Sequence, residues 1–353
     1  MWQGREVFLC TLAFLAGNVA GDALSFHPAV LLLIAALCAV LLWLRPCGGL
    51  SILCLFMLGA ASVQTGRMPP EPELSSLMAW AARCKAGFSE SLAMWFPEGD
   101  ELAVLRALSI GDKGSLTRDL RAAYRESGAM HLLALSGLHV GLVYALLSWL
   151  LKPLGGSRTA RMLRSVLLLA ALWAYALITG LSASISRAVL MISFYEVSGL
   201  LSGDRDALAA LSGSAFILML ANPEAPRDIG FQLSYTAVLS IILLHPWLSG
   251  LLRTRSPLLS RVWALLSMSL CCQATCGMLA WLYFGTFPRY FLLTAIMAVP
   301  MATASLYAAV AAVALQAIST FLPLVSDASD LFAEALRWLL HLLNTIIRLI
   351  AEL

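Results

Sequence analysis

The sequence predicts an all-α, polytopic integral membrane protein with about 9–11 transmembrane or re-entrant helices, some of them interrupted. Composition leads there first. Of 353 residues, 60% are hydrophobic and 12% charged, with a mean hydropathy of +0.85, whereas a soluble domain averages roughly 45–50% apolar and about 25% charged residues. Span length is the second observation: apolar runs of about twenty residues, each able to cross a hydrocarbon core of about 30 Å, recur along the chain. Placement of the basic residues is the third, because they gather in short loops between those runs. The formal net charge of +3 is too small to imply a partner by itself.

The runs fall near 7–22, 27–45, 50–65, 130–151, 163–180, 187–201, 206–221, 230–249, 262–283, 290–317 and 331–351. The first follows Arg5 in the manner of a signal peptide. It lacks a small-x-small cleavage pattern and precedes further spans, so it reads as an uncleaved first helix. Runs 187–201 and 206–221 are short enough for a re-entrant hairpin, and Pro300 inside 290–317 predicts another broken helix. The eight cysteines (Cys10, Cys38, Cys47, Cys54, Cys84, Cys271, Cys272, Cys276) contain no CxxC pair. All but Cys47 and Cys84 lie in apolar runs and read as small core residues.

Orientation follows from the excess of Lys and Arg in cytoplasmic loops. One short loop holds Lys152, Arg158, Arg161 and Arg164, and another holds Arg253, Arg255 and Arg261. Four apolar segments separate them, an even number, so both loops can face the cytoplasm. Counting back, the run 130–151 points inward with His131 toward the outside. Arg5 and Arg45 then fall inside, with the N-terminus.

Residues 67–129 are therefore extracytoplasmic. They carry prolines in "RMPPEPE" and "WFPEGD", and an amphipathic pattern. Leu74, Leu77, Met78, Ala81, Cys84, Phe88, Leu92 and Trp95 recur every three or four residues, which fits a helix on the membrane surface or on the protein's own outer face. In "SLTRDLRAAYRESG", Arg118, Arg121 and Arg125 are spaced i, i+3, i+7 along one side of a helix, with Ser115 or Thr117 placed to cap it and Gly128 to end it. Three aligned guanidiniums suit a polyanion backbone, whose condensed counterions they would release. Asp119 and Glu126 interleave, and an ordinary solvated face is the plainer reading.

The stretch "HLLALSGLHVG" (131–141) places imidazoles inside grease. With Ser136 at the origin of a wheel advancing about 100° per residue, His139 falls at roughly 300°, His131 at roughly 220°, and Gly137 and Gly141 at roughly 100° and 140°. One side is polar, and the other is a GxxxG seam for close packing. Histidines hydrogen-bonded to backbone are the bland alternative; two of them plus a serine on one arc favour a polar cavity. In "GLSASISRAVL" (180–190), Ser182 and Ser184 lead to Arg187. A cation at mid-membrane costs about 2.5–3.5 kcal/mol, so Arg187 either snorkels to the interface or finds an anionic partner, Glu196 or a ligand. In "NPEAPRDIGFQLSYTAV" (222–238), two prolines and a glycine break the chain before Gln232, Ser234 and Tyr235. Asp228 sits where a helix N-terminus accepts a carboxylate. Interrupted helices with polar residues at membrane depth line aqueous cavities or are buried in protein.

These blocks, in this order, resemble the ComEC competence family of bacterial inner-membrane DNA-uptake channels. "HLLALSGLHVG" is similar to its hallmark, "GLSASISRAVLM" (180–191) and "NPEAPRDIGFQLSYTAV" to two further blocks, and "FGTFPRYFLLTAIMAVP" (284–300) to a fourth. In that fourth block the family usually has Asn after "LLT", where this chain has Ala295. The likeness covers about residues 100–310. Family members often carry an OB-fold and a metallo-β-lactamase-like domain as well. Neither pattern is visible here, and the five histidines form no HxHxDH-type metal cluster. The chain reads as a minimal membrane core: N-terminal transmembrane helices at 1–66, the extracytoplasmic segment at 67–129, a competence-type channel core at 130–318 and a C-terminal helix at 319–353.

The resemblance implies a channel, not an enzyme, that passes single-stranded DNA across the bacterial cytoplasmic membrane without metal or cofactor. Arg118, Arg121 and Arg125 would gather phosphates at the outer mouth. His131, Ser136, Gly137, His139, Gly141, Ser182, Ser184, Arg187, Asp228, Gln232 and Ser234 would line or shape the path through lipid. No Walker-type loop is present, so the resemblance also implies a separate cytosolic ATPase and an outer DNA receptor. Two other classes compete: an intramembrane hydrolase using Ser136 with His139, and a small-solute secondary transporter built on broken helices.

Overall fold

The computed structural model describes residues 4–21, 31, 34–35, 48–65, 75–96, 98–252, 255–285, 290–319 and 326–353. Most of the apolar run 27–45 with Cys38, Arg45 and Cys47, the prolines of "RMPPEPE", Leu74, Pro97 and Arg253 lie outside these residues. The described elements are all helical: α1 (Gly4–Ala20), α2 (Gly48–Thr65), α3 (Ser75–Ala93), α4 (Asp100–Ile110), α5 (Arg118–Glu126), α6 (Met130–Leu133), α7 (Gly137–Leu150), α8 (Arg158–Ile178), α9 (Ala183–Ser202), α10 (Ala207–Ala221), α11 (Ile229–Gly250), α12 (Pro257–Phe284), α13 (Phe291–Ser319) and α14 (Ser326–Ala351). Among the described residues, α8, α9, α11, α12 and α13 are long and apolar enough to cross a membrane, and α2, α7 and α10 contain shorter apolar helices. The protein is a multi-pass, all-α membrane protein.

Several expected elements are corrected. The run 290–317 is one helix, α13, continuous through Pro300. Backbone leaving a helix in lipid finds no water to bond, so the helix runs on despite one missing N–H. The irregularity falls instead in α12, where Gln273–Gly277 form a π-helical turn. The run 187–201 belongs to a 20-residue helix, α9, whereas α10 has 15 residues. The run 331–351 belongs to α14, which is amphipathic: Ser329, Ala333, Leu336, Leu340, Leu343, Ile347 and Ile350 are buried at spacings of three and four, while Leu331, Trp338 and Leu349 are exposed. It is not among the five spanning candidates.

Contacts divide the chain into two compact units. The first comprises residues 1–73, 151–169 and 187–242. In it α1 packs on α2 and α10. Glycine makes the first of these contacts: a Cβ at Gly17 would overlap the Phe56 carbonyl oxygen, and one at Gly59 would overlap that of Phe14. At Gly21 it would stand 2.9 Å from the Ala60 carbonyl oxygen. Gly17 and Gly21 form a GxxxG pair that lets two backbones touch. Phe14, on the same helix, meets Phe216 of α10 edge-on at 4.9 Å.

The second unit comprises residues 74–150, 170–186 and 243–353. Its centre is α4, where every residue from Leu102 to Ile110 except Arg106 is buried, against α3, α6, α13 and α14. Each such leucine removed from water contributes about 1.5–3 kcal/mol. At the start of α4, Asp100 pairs with Arg348, and Glu101 lies 3.1 Å from His341 of α14. α5 packs on α14 through Leu120 and Tyr124. The Tyr124 hydroxyl donates to Asn344 Oδ1 at 2.9 Å. Burial raises that phenol's pKa, the Asp100 charge adding to the effect and Arg348 opposing it, so Tyr124 stays a neutral donor.

Candidate functional site

In the second unit the chain builds a basic helix and then a broken one. α5 begins at Thr117, whose hydroxyl accepts from Leu120 N at 3.3 Å, and ends at Ser127 followed by Gly128 (φ 76°). Arg118, Arg121 and Arg125 are all exposed, within an arc of about 60° on the wheel. Leu120 and Tyr124 occupy the buried side at roughly 200–240°, and Asp119 and Glu126 sit on a separate flank at roughly 80–100°. The acids therefore border the arginine row without breaking it. Arg121 also donates to the Lys113 carbonyl.

The predicted single helix over 130–151 is two. α6 stops at Leu133, Ala134 is extended (φ −90°, ψ 123°), and α7 starts at Gly137. The wheel that joined His131 to Ser136 therefore does not apply. The physical reason is local. The Ser136 backbone N–H donates to His139 Nδ1 at 3.3 Å, and the Ser136 hydroxyl lies 3.2 Å from the same atom. His139 is the third residue of α7 and reaches back to the residue before the helix, the geometry of a capping box with imidazole in place of glutamate. Such side-chain bonds compete with helix continuation. Gly111 (φ 71°) assists: a Cβ there would overlap the Leu135 side chain. His131 is exposed, its Nδ1 donating to the Gly128 carbonyl at 2.9 Å. Gly137 is exposed at the helix start, and a Cβ at Gly141 would meet nothing within 4 Å. The expected packing seam at these two glycines is absent at Gly141; glycine packing occurs at Gly17, Gly21 and Gly59.

Ser182 and Ser184 follow a tight reversal in the same unit. Leu181 N bonds to the Ala176 carbonyl at 2.7 Å, closing α8. Among the described residues Leu181 is the only non-glycine with positive φ (50°), a strained state for a branched side chain. The Ser182 hydroxyl is buried without a hydrogen-bond partner among the described residues. Ser184 is half-buried in the first turn of α9.

The first unit holds Arg187, Asp228, Gln232 and Ser234 together. Arg187 is buried, with its Nε donating to Ser234 Oγ at 3.2 Å and its NH1 3.6 Å from Asp228 Oδ1. Glu196, one of the alternatives the sequence offers for Arg187, is engaged elsewhere, with Arg205 and Ser165. Asp228 has two tasks, since Oδ1 also accepts from Phe231 N at 2.7 Å and caps α11. A cation beside a helix N-terminus meets the positive end of the helix dipole, and the capping carboxylate offsets both. Gln232 Nε2 donates to the Pro226 carbonyl at 2.9 Å, satisfying the turn before the helix.

Two further residues shape the site: Gly230, expected to break the chain but lying inside the first turn of α11, and Thr294, which the sequence did not single out. Gly230 leaves room for the guanidinium: a Cβ there would stand 3.0 Å from Arg187 NH2. Thr294, fully buried on α13, donates to the Ser127 carbonyl at 2.6 Å and so ties the fourth sequence block to the end of the arginine helix. Its position just before Ala295, in "LLT", was the available clue.

A family profile described as "Competence protein" matches residues 108–353. ComE operon protein 3 of Bacillus subtilis (strain 168) is 36% identical over 144 residues, which are 41% of this chain and 18% of that protein. Competence protein ComA of Neisseria gonorrhoeae is 34% identical over 149 residues, 40% of this chain and 21% of that protein. The match thus spans about a fifth of each relative's length. No solved structure matches the chain.

Proposed function

The chain belongs to the competence protein family, and on that premise we propose that it forms the path by which single-stranded DNA crosses the bacterial cytoplasmic membrane in natural transformation. The observation that carries this reading is the row Arg118, Arg121 and Arg125. It is exposed, free of interrupting acids, and joined through Ser127 and Gly128 to the block His131–Gly141. Phosphates of a strand would displace water along the row, and each phosphate neutralised would release its counterions. The Ser136–His139 turn caps the start of the following helix. Arg187, fixed by Asp228 and Ser234, is a buried cation with donors left over for a passing phosphate.

In this reading the N-terminus is cytoplasmic, lipid surrounds the spanning helices, and the protein performs no covalent chemistry. Translocation of a polyanion needs work, supplied by a separate cytosolic ATPase, and an outer receptor delivers the strand. Deleting the gene in a transformable host and scoring labelled DNA in the cytosol tests it. Entry is expected to stop and to return on complementation; unchanged transformation overturns the proposal. One contact favours a second reading, an intramembrane hydrolase: Ser136 Oγ stands 3.2 Å from His139 Nδ1.

A further inference from the structure

Arg205, in the first unit, is held by more devices than an ordinary helix-end ion pair needs. Gly203 (φ 84°) turns the chain back after α9. Gly199 lacks the Cβ that would stand 2.7 Å from Arg205 Cγ, so the side chain lies along the helix. Its guanidinium carbon sits 5.4 Å from the Tyr195 ring centroid, a cation–π contact. Its NH2 donates to Glu196 Oε2 at 2.8 Å, and that oxygen also accepts from the Ser165 hydroxyl at 2.7 Å. Glu196 is 1% exposed. One residue on, Asp206 caps α10 by accepting from Leu208 N and Ala209 N at 2.9 and 3.0 Å. Both ends of the arginine's backbone are thus fixed.

Beside this pair lies a cavity of about 310 Å³, lined by Arg161, Arg164, Ser165, Glu196, Asp204 and Arg205 among others. That volume suits a small polar group. Three guanidiniums face two carboxylates there, leaving one positive charge in excess. Arg161 is exposed and makes no ion pair among the described residues. The walls are the first turns of α8 and the last turns of α9, both long enough to span a membrane. Helix ends of that kind lie at headgroup depth, where arginines meet lipid phosphates.

We infer that this cavity binds the monoanionic phosphodiester of an acidic lipid headgroup. Arg161 and Arg164 contact its oxygens, and the Glu196–Arg205 pair serves as a fixed wall. A single negative charge balances the cavity, and a guanidinium fork matches two non-bridging oxygens. A free phosphate ion shares this chemistry, so the test separates the two sources. The full chain is purified in neutral detergent and titrated with phosphatidylglycerol, phosphatidylcholine or inorganic phosphate, with bound ligand counted by native mass spectrometry. One phosphatidylglycerol is expected to be retained in preference to phosphatidylcholine. Arg161→Gln is expected to weaken that retention about fivefold, and Arg161→Gln with Arg164→Gln about twenty-fivefold. Arg161 is exposed, so its variant keeps the fold, and a thermal melt checks this. Equal retention of both lipids, retention indifferent to both substitutions, or binding of phosphate alone overturns the inference.

Discussion

Asp228 Oδ1 stands 3.6 Å from the buried Arg187 guanidinium and 2.7 Å from the Phe231 amide, so one oxygen neutralises a cation and caps a helix. This contact joins the block that contains Arg187 to the block that contains Asp228. The two tasks separate on substitution. Asp228→Asn keeps a capping oxygen but removes the charge opposite Arg187, whereas Asp228→Ala removes both. Loss of the cap alone costs about 0.5–2 kcal/mol. Melts of the purified chain are expected to fall further for Ala than for Asn, while transformation falls for both. Equal melts for the two variants would remove the capping role.

His139 gives a sharper rescue. His139→Ala leaves the Ser136 amide without its acceptor and is expected to cost about 1 kcal/mol. His139→Gln places the customary capping-box side chain at the same helical position and is expected to recover stability and transformation together. Recovery of the melt without transformation would assign the imidazole a task beyond the turn.

A fluorophosphonate probe is expected to leave Ser136 unlabelled. The His139 Nδ1 lone pair already accepts the Ser136 backbone N–H, and among the described residues no carboxylate contacts the ring. A base so occupied and so unsupported does not activate a hydroxyl. Covalent labelling that disappears in Ser136→Ala would instead establish the hydrolase reading.

The arginine row predicts a salt signature. Binding of a fluorescent single-stranded oligonucleotide to the full chain is expected to weaken in each of Arg118→Ala, Arg121→Ala and Arg125→Ala. For every phosphate that a variant no longer neutralises, the slope of log affinity against log salt becomes shallower by about 0.7. Melting should change little, because these side chains are exposed. An unchanged slope in the triple variant would detach the row from DNA.

Gly17→Ala inserts a methyl where the Phe56 carbonyl oxygen already lies. Backbone cannot yield as a flexible side chain can, so α1 and α2 must separate, at a cost of about 1–3 kcal/mol. Gly141→Ala, with open space around it, is expected to be neutral. Melting both variants in parallel checks the assignment of the packing seam.

Much of the site was legible because local chemistry made it so. Thr117 and Asp228 cap helices where sequence placed them, and Arg118, Arg121 and Arg125 share a face because helical spacing requires it. The helix over 130–151 misled, since hydropathy sees an unbroken apolar run and cannot see the Ser136–His139 bonds that stop it. Pro300 misled in the opposite sense, because lipid enforces helix where water would permit a break. For Arg187 the sequence offers the interface, Glu196 on the same helix or a ligand, and the acid that reaches it is Asp228, the residue that caps α11.

The chain's order of polar and apolar residues determined that it is helical, enters the membrane several times, and gathers basic residues in short loops between the apolar runs. Tertiary structure alone decided which charges meet. Hydrophobic periodicity is a property of one segment and can be read along it. The pairings of Arg187 with Asp228 and Thr294 with Ser127 depend on how distant segments pack, with Gly230 leaving room for the Arg187 guanidinium.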